Sequence, residues 1–296
     1  MPGLVSFTEM RTSLLNITSL AVIATSICLG PASQTANAKS PLGRRWSVSQ
    51  RISMDRIDHA AFDRLLKQYV DRDGYVNYSG WQRSSTDRSA LQRYLGDLSR
   101  ADTRKSASRD ARLAFWINAY NAVTIEGMLQ VYPTLSIRNH TAKVFGYNIW
   151  TELPLRVGDA THSLNDIEHK ILRKMGEPRI HFAIVCASVS CPRLLNEPYT
   201  AKRVQEQLAA NMRDFFGRRQ NFRVDASGRT IYMSSIPDWF GEDFGRSQAK
   251  RLAFFRPYLP KVAQKMVSNS SVRVVYLKYD WSLNDQSRQR KRTGRR

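Results

Sequence analysis

A mainly helical α+β fold, one domain with a helical shell around a small mixed or antiparallel sheet, is what this sequence predicts. Three observations carry that expectation. Several segments place apolar residues at helical spacing, and a few short β-branched or aromatic runs lie between turn signals. The two kinds alternate with no regular strand–helix–strand rhythm. With 296 residues, 42% of them apolar, the chain has material for one large core.

Taken in order, Ile57 to Val70 carries Ile57, Ala60, Ala61, Leu65 and Tyr69 on one helical face, and Asp71 to Gly74 stops it. Tyr75 to Tyr78 reads as a short strand and Leu91 to Leu98 as a helix. A long helix from about Asp110 to Val131 ends at Tyr132-Pro133, because a residue before proline avoids the helical region. Ser163 reads as the N-cap of a helix over Leu164 to Lys174, with Asp166 and Glu168 at the positive end of its dipole. Ile180 to Cys186 is short, apolar and bounded by breakers, so it reads as a buried strand. Lys202 to Phe216 is helical; Phe222–Val224 and Thr230–Met233 flank a hairpin turn. A helix over Leu252 to Met266 breaks near Pro257 and Pro260, and Val272 to Tyr279 closes the series as a strand.

The two ends read differently from the body. Residues 1–38 resemble a secretory signal peptide: an apolar stretch from Leu14 to Leu29 precedes Ala36-Asn37-Ala38, a small-x-small cleavage site. Translation from Met10 instead of Met1 would give a more ordinary leader. Residues 39–50 read as a linker, 51–283 as the domain and 284–296 as a disordered basic tail. This layout predicts an exported protein, periplasmic or secreted. The formal charge is +21, of which Arg288, Arg290, Lys291, Arg292, Arg295 and Arg296 carry six. In an exported chain that surplus suits an anionic envelope polymer or a membrane surface. No nucleic-acid-binding motif accompanies it, and oligomeric state is not legible. The chain has no glycine-rich phosphate loop, Gly-x-Ser-x-Gly elbow or His-Glu-x-x-His, which argues against nucleotide, serine-hydrolase and zincin chemistry.

Chemistry concentrates in His181-Phe-Ala-Ile-Val-Cys186-Ala-Ser-Val-Ser-Cys191-Pro192, which holds both cysteines outside the leader. A thiol nucleophile needs its pKa lowered by an imidazole or a cationic neighbour. Strand alternation puts His181 and Cys186 on opposite faces, so His181 would reach Cys191 only after a turn. Glu168-His169 on the preceding helix could serve either sulfur. A disulfide is the second reading: five extended residues span roughly 16 Å, so a bridge would require the segment to fold back. A metal site from His181, Cys186, Cys191 and His169 is the third, with spacings at the loose edge of zinc patterns. Asn118 and Asn121, three apart on a helix apolar almost all round, either tie backbone in place or supply donors that orient a substrate. Glu168 with Arg173 suggests a structural ion pair. His59 reads as a surface residue, His140 as solvated and His162 as a capping aid. Asp238-Trp-Phe240 with Glu242-Asp243-Phe244 reads as an aromatic-anchored turn whose acids offset the basic surface.

The Phe115-Trp-Ile-Asn-Ala-Tyr-Asn121 segment resembles the centre of the DUF547 family. The likeness continues through Tyr132-Pro133, Ser163-Leu-Asn-Asp-Ile-Glu-His169, Pro178-Arg-Ile-His-Phe-Ala183, Ser190-Cys-Pro192 and Tyr279-Asp-Trp-Ser-Leu283, roughly residues 55 to 285. The basic tail departs from the family pattern. The resemblance implies a lineage and no reaction or cofactor. The residues predict a cysteine-dependent hydrolase or acyl/amide transferase on envelope material, with Cys186 or Cys191 as nucleophile. In that reading His181 or His169 is the base, and Asn118 or Asn121 the polarising donor. The competing expectation is a non-catalytic binding module with Cys186 and Cys191 bridged.

Overall fold

In the computed structural model, described for residues 40–142, 147–225, 227, 229–268 and 272–293, four helices build the first half: α1 (Ala60–Tyr69), α2 (Tyr78–Arg83), α3 (Ser85–Leu98) and α4 (Arg109–Val131). The hydroxyl of Ser108 caps α4 by accepting the Ala111 amide at 3.1 Å. Every residue from Leu113 to Leu129 is buried. A helix apolar on all sides must be covered on all sides, so α4 forms the middle of the core.

Next come a short helix α5 (Ile149–Glu152) and the antiparallel pair β1 (Leu155–Val157) and β2 (Ala160–His162), with Leu155 opposite His162. Ser163 caps the following turn as read: its hydroxyl accepts the Asp166 amide at 3.1 Å, and Asp166 accepts the Ser163 amide at 3.0 Å. The body of that element, Asp166–Leu172, is wound as a π-helix and ends at Gly176, whose φ is +66°. After α6 (Val204–Gly217), strands β3 (Phe222–Val224) and β4 (Thr230–Met233) pair antiparallel. Two single-turn helices, α7 (Ile236–Trp239) and α8 (Gly241–Phe244), precede α9 (Gln248–Phe255) and α10 (Lys261–Met266). Strand β5 (Arg273–Tyr276) joins β4 in parallel, giving a mixed sheet, and α11 (Gln286–Thr293) ends the described chain. The fold is α+β and mainly helical, as the sequence predicts.

Buried side chains form two clusters. The larger surrounds α4 with α1 to α3 and the segment 180–195; the smaller joins α6, the β3–β4–β5 sheet and α7 to α10. The cysteine segment lies where they meet, with Cys186 and Cys191 packed into the first and Phe182 into the second.

Several local expectations are corrected. Ile180 to Cys186 is no strand: Pro178–Phe182 is a 3-10 turn, opened by Glu177 accepting the Arg179 amide. Tyr75 to Tyr78 contributes only isolated bridges from Val76 to Val70 and Asp285, because Asn77 accepts the Gly80 amide at 2.9 Å and starts α2. The presumed linker is packed from Leu42 onward: Leu42 donates to the Pro154 carbonyl at 2.8 Å, and the Trp46 indole donates to the Gly96 carbonyl at 2.9 Å. The tail read as disordered begins with buried Asn284 and Asp285 and continues as α11. His59 accepts or donates at Tyr94 Oη, 2.7 Å away, so it is half-buried rather than superficial. His162 packs edge-on against Trp116 and takes no part in capping. The leader, 1–38, and the choice between Met1 and Met10 lie outside the described residues.

Candidate active site

Glu168, His169, His181, Cys186 and Cys191 line one cleft of about 240 Å³, walled by Tyr120, Trp150, Trp239, Phe240, Tyr279 and Trp281. Its position follows from how the backbone of 183–191 is held. Asn121 donates to the Ala183 carbonyl and accepts the Val185 amide, both at 3.0 Å. Asn118 holds Tyr199 in the same two-sided way, at 2.8 Å to each group. Both amides are thus engaged with backbone, and neither is the substrate donor that the functional reading required. Ala187 then adopts a left-handed conformation (φ 55°), and Cys191 donates its amide to the Ser188 carbonyl at 3.1 Å. These two turns fold the chain back and bring both sulfurs to the cleft. The C-terminal segment pins the turn, with Val189 donating to the Ser282 carbonyl at 2.8 Å.

The sulfurs are free thiols and are not bridged. The Cys186 amide donates to Cys191 Sγ at 2.9 Å, while Cys186 Sγ lies 3.0 Å from Ser188 Oγ and 3.2 Å from Tyr279 Oη. Burial pushes the Cys186 thiol well up, and sharing its proton with Cys191 adds to that. Burial would raise Cys191 as well, but hydrogen bonds from the Cys186 thiol, Tyr279 and the Cys186 amide outweigh it and lower that thiol. The pair therefore holds its first negative charge on Cys191. Cys191 is 8% exposed, and Cys186 is half-buried.

No imidazole serves either sulfur by a hydrogen bond among the described residues. His181 Nε2 is 2.8 Å from Asp243 Oδ2, and its ring stacks on Phe240 at 3.9 Å between centroids. Burial lowers its pKa to about 4 despite Asp243, so it is neutral at pH 7. His169 Nδ1 lies 3.2 Å from an Arg173 guanidinium nitrogen. A guanidinium only donates, so Nδ1 is the acceptor and Nε2 carries the hydrogen. His169 is therefore a donor in this arrangement, not a base. The predicted Glu168–Arg173 pair gives way to a two-pronged bond from Arg173 to Asp243, at 2.6 and 2.8 Å. Burial alone would raise Asp243, but Arg173 and His181 hold it below the usual carboxylate range.

Glu168 is the group with acid–base capacity. Burial raises its carboxyl to about 7, against the hydrogen bond from Tyr120 Oη at 3.2 Å and the charge of Arg173. The π-helical winding presents both Glu168 and His169 to the cleft although they are adjacent in sequence. Asp243, Tyr279, Ser188 and the tryptophans escaped the sequence reading. For Asp243 the signal was present, an acid between two aromatic-flanked turns, but its partners lie 62 and 70 residues away. The metal reading lacks a ligand set: among the described residues no three His, Cys, Asp or Glu side chains group to hold an ion.

The shifts fix a pH response of stability. His59 and His181 have folded pKa values of about 4 against 6.5, so unfolding takes up protons and stability is lost as pH falls from 6.5 toward 4. Glu168 acts oppositely: its proton is retained on folding, and stability falls as pH rises from 4.5 to about 7. In the overlap the imidazoles outnumber the carboxyls, since burial also lowers His162 and His169 and, on the other side, raises Glu126. The unfolding free energy in urea should therefore drop on acidification from pH 6.5 to 4.5, by on the order of 1 kcal/mol per pH unit. Glu168→Gln should steepen that drop; an unchanged slope would contradict the assignment.

Fold and cleft together define an α+β protein with a thiol pair and a protonatable carboxyl in an aromatic pocket. Residues 104–216 match the family model of DUF547, described as a protein of unknown function. The span runs from ahead of α4 to the end of α6 and includes Glu168, His169, His181 and both cysteines. No curated protein and no solved structure matches the chain.

Proposed function

We propose that the cleft is the active site of a cysteine-dependent hydrolase or acyl/amide transferase. One observation carries this reading: Cys191, the thiol of lowered pKa, and Glu168, a carboxyl of pKa about 7, line the same aromatic pocket. The Cys191 thiolate attacks the acyl carbon, forming a C–S bond. Collapse breaks the bond to the leaving oxygen or nitrogen, which takes a proton from Glu168. The Glu168 carboxylate then removes a proton from water or an acceptor amine, which attacks the thioester and releases Cys191. A carboxyl that titrates near the working pH can serve both steps. His169 contributes a donor at Nε2, and the Arg173–Asp243–His181 chain keeps that tautomer and ring position. With the leader read in residues 1–38, the substrate would be ester- or amide-bearing envelope material.

p-Nitrophenyl acetate is a direct probe. Reduced protein at pH 7.5 should release a burst of one p-nitrophenolate per chain, with an acetyl group on Cys191 in the mass-mapped peptide. Absence of both burst and adduct would overturn the assignment.

A further inference from the structure

A nucleophile flanked by a second thiol has a further reaction open to it. We infer that Cys186 and Cys191 are a reversible dithiol that exchanges with small disulfides of the glutathione class, the bridged form being the switched-off state of the cleft. The exchange rests on geometry alone; the switching rests on the acyl-transfer reading above.

The backbone makes a bridge reachable. Left-handed Ala187 and the turn from Ser188 to Cys191 reverse the chain, so that Cys191 Sγ sits 2.9 Å from the amide nitrogen of Cys186. The Cys186 side chain starts two bonds from that nitrogen. Both sulfurs line the cleft, so a small disulfide that enters it meets them. Their roles differ. Cys191 is the sulfur supported by an amide donor; Cys186, beside Ser188 and Tyr279, keeps its proton until a mixed disulfide forms.

The exchange balances without another reactant. The Cys191 thiolate attacks one sulfur of glutathione disulfide, the S–S bond breaks, and one glutathione thiolate leaves. Cys186 then loses its proton to solvent and attacks Cys191 Sγ, expelling the second glutathione. Two protein thiols become one disulfide, and glutathione disulfide is reduced to two thiols.

The test treats reduced full-length protein with glutathione disulfide, blocks remaining thiols with iodoacetamide and maps the peptides, so that Cys28 is read separately. The expected result is a Cys186–Cys191 cross-link with no glutathione retained. Cys186→Ser should stop at one glutathione on Cys191, and Cys191→Ser should take none at Cys186. Both thiols still alkylated in the treated wild type would overturn the inference. So would glutathione retained on the wild type with no cross-link. Should Cys186→Ser lose its native circular dichroism, the wild-type map decides alone. The p-nitrophenyl acetate burst should vanish in the cross-linked protein and return with dithiothreitol. A cross-link in protein that never shows a burst sinks the acyl-transfer reading and leaves the exchange; a burst without a cross-link does the reverse.

Discussion

Glu168→Gln is expected to trap the acetyl group on Cys191: the p-nitrophenolate burst persists while turnover falls by about 10²–10⁴-fold. p-Nitrophenolate leaves without a proton, so acylation has little need of Glu168; deacylation requires a base to activate water. In wild type the turnover rate should rise with pH through about 7, as Glu168 ionises. The variant should lose that inflection. Cys191→Ser separates the steps from the other side, losing burst and acetyl adduct together. Turnover in Glu168→Gln with the same rate and inflection as wild type would remove Glu168 from the mechanism. Asp243→Asn is a weaker probe, since Asp243 acts through Arg173 and His181.

The second large effect is on folding. Asn121→Ala leaves the buried Ala183 carbonyl and Val185 amide without their partner. Each orphaned group costs about 1–3 kcal/mol, so the variant should lose about 2–6 kcal/mol in urea unfolding. Asn139→Ala, on an exposed turn, should change stability by less than about 0.5 kcal/mol. Equal losses at both positions would show that the Asn121 amide does not organise the 183–191 segment.

The same two hydrogen bonds explain where sequence reading succeeded and where it failed. Helix α4 was legible because twenty-odd residues of apolar character running up to Tyr132-Pro133 admit few alternatives. The run Ile180 to Cys186 was not. Its composition suits a strand, and a buried strand would pair its backbone with neighbouring strands. Here side chains take over that work: Asn121 holds Ala183 and Val185, and Asn211 donates to the Phe182 carbonyl at 2.6 Å. Those partners sit on α4 and α6, too far along the chain for a local pattern to register. Cys186, Cys191, His181, Glu168 and His169, all candidates from the sequence, line one cleft. Their pairing was not legible for the same reason: strand alternation would set His181 and Cys186 on opposite faces, but the segment opens as a 3-10 turn. The π-helical turn gave no signal either, because Leu164 to Lys174 has ordinary helical spacing.

The meeting of two apolar clusters at the cleft divides labour within it. Cys191 packs with the cluster around α4, whereas Phe240 and Tyr279 belong to the cluster built on α6, α9, α10 and the sheet. The cleft wall is thus shared, with Tyr120, Trp150 and Trp281 packed into the first cluster and Phe240 and Tyr279 into the second. Repacking beneath α9 or α10 should therefore move the Phe240 and Tyr279 side of the cleft first, since the side formed by Tyr120, Trp150 and Trp281 is seated on the other cluster.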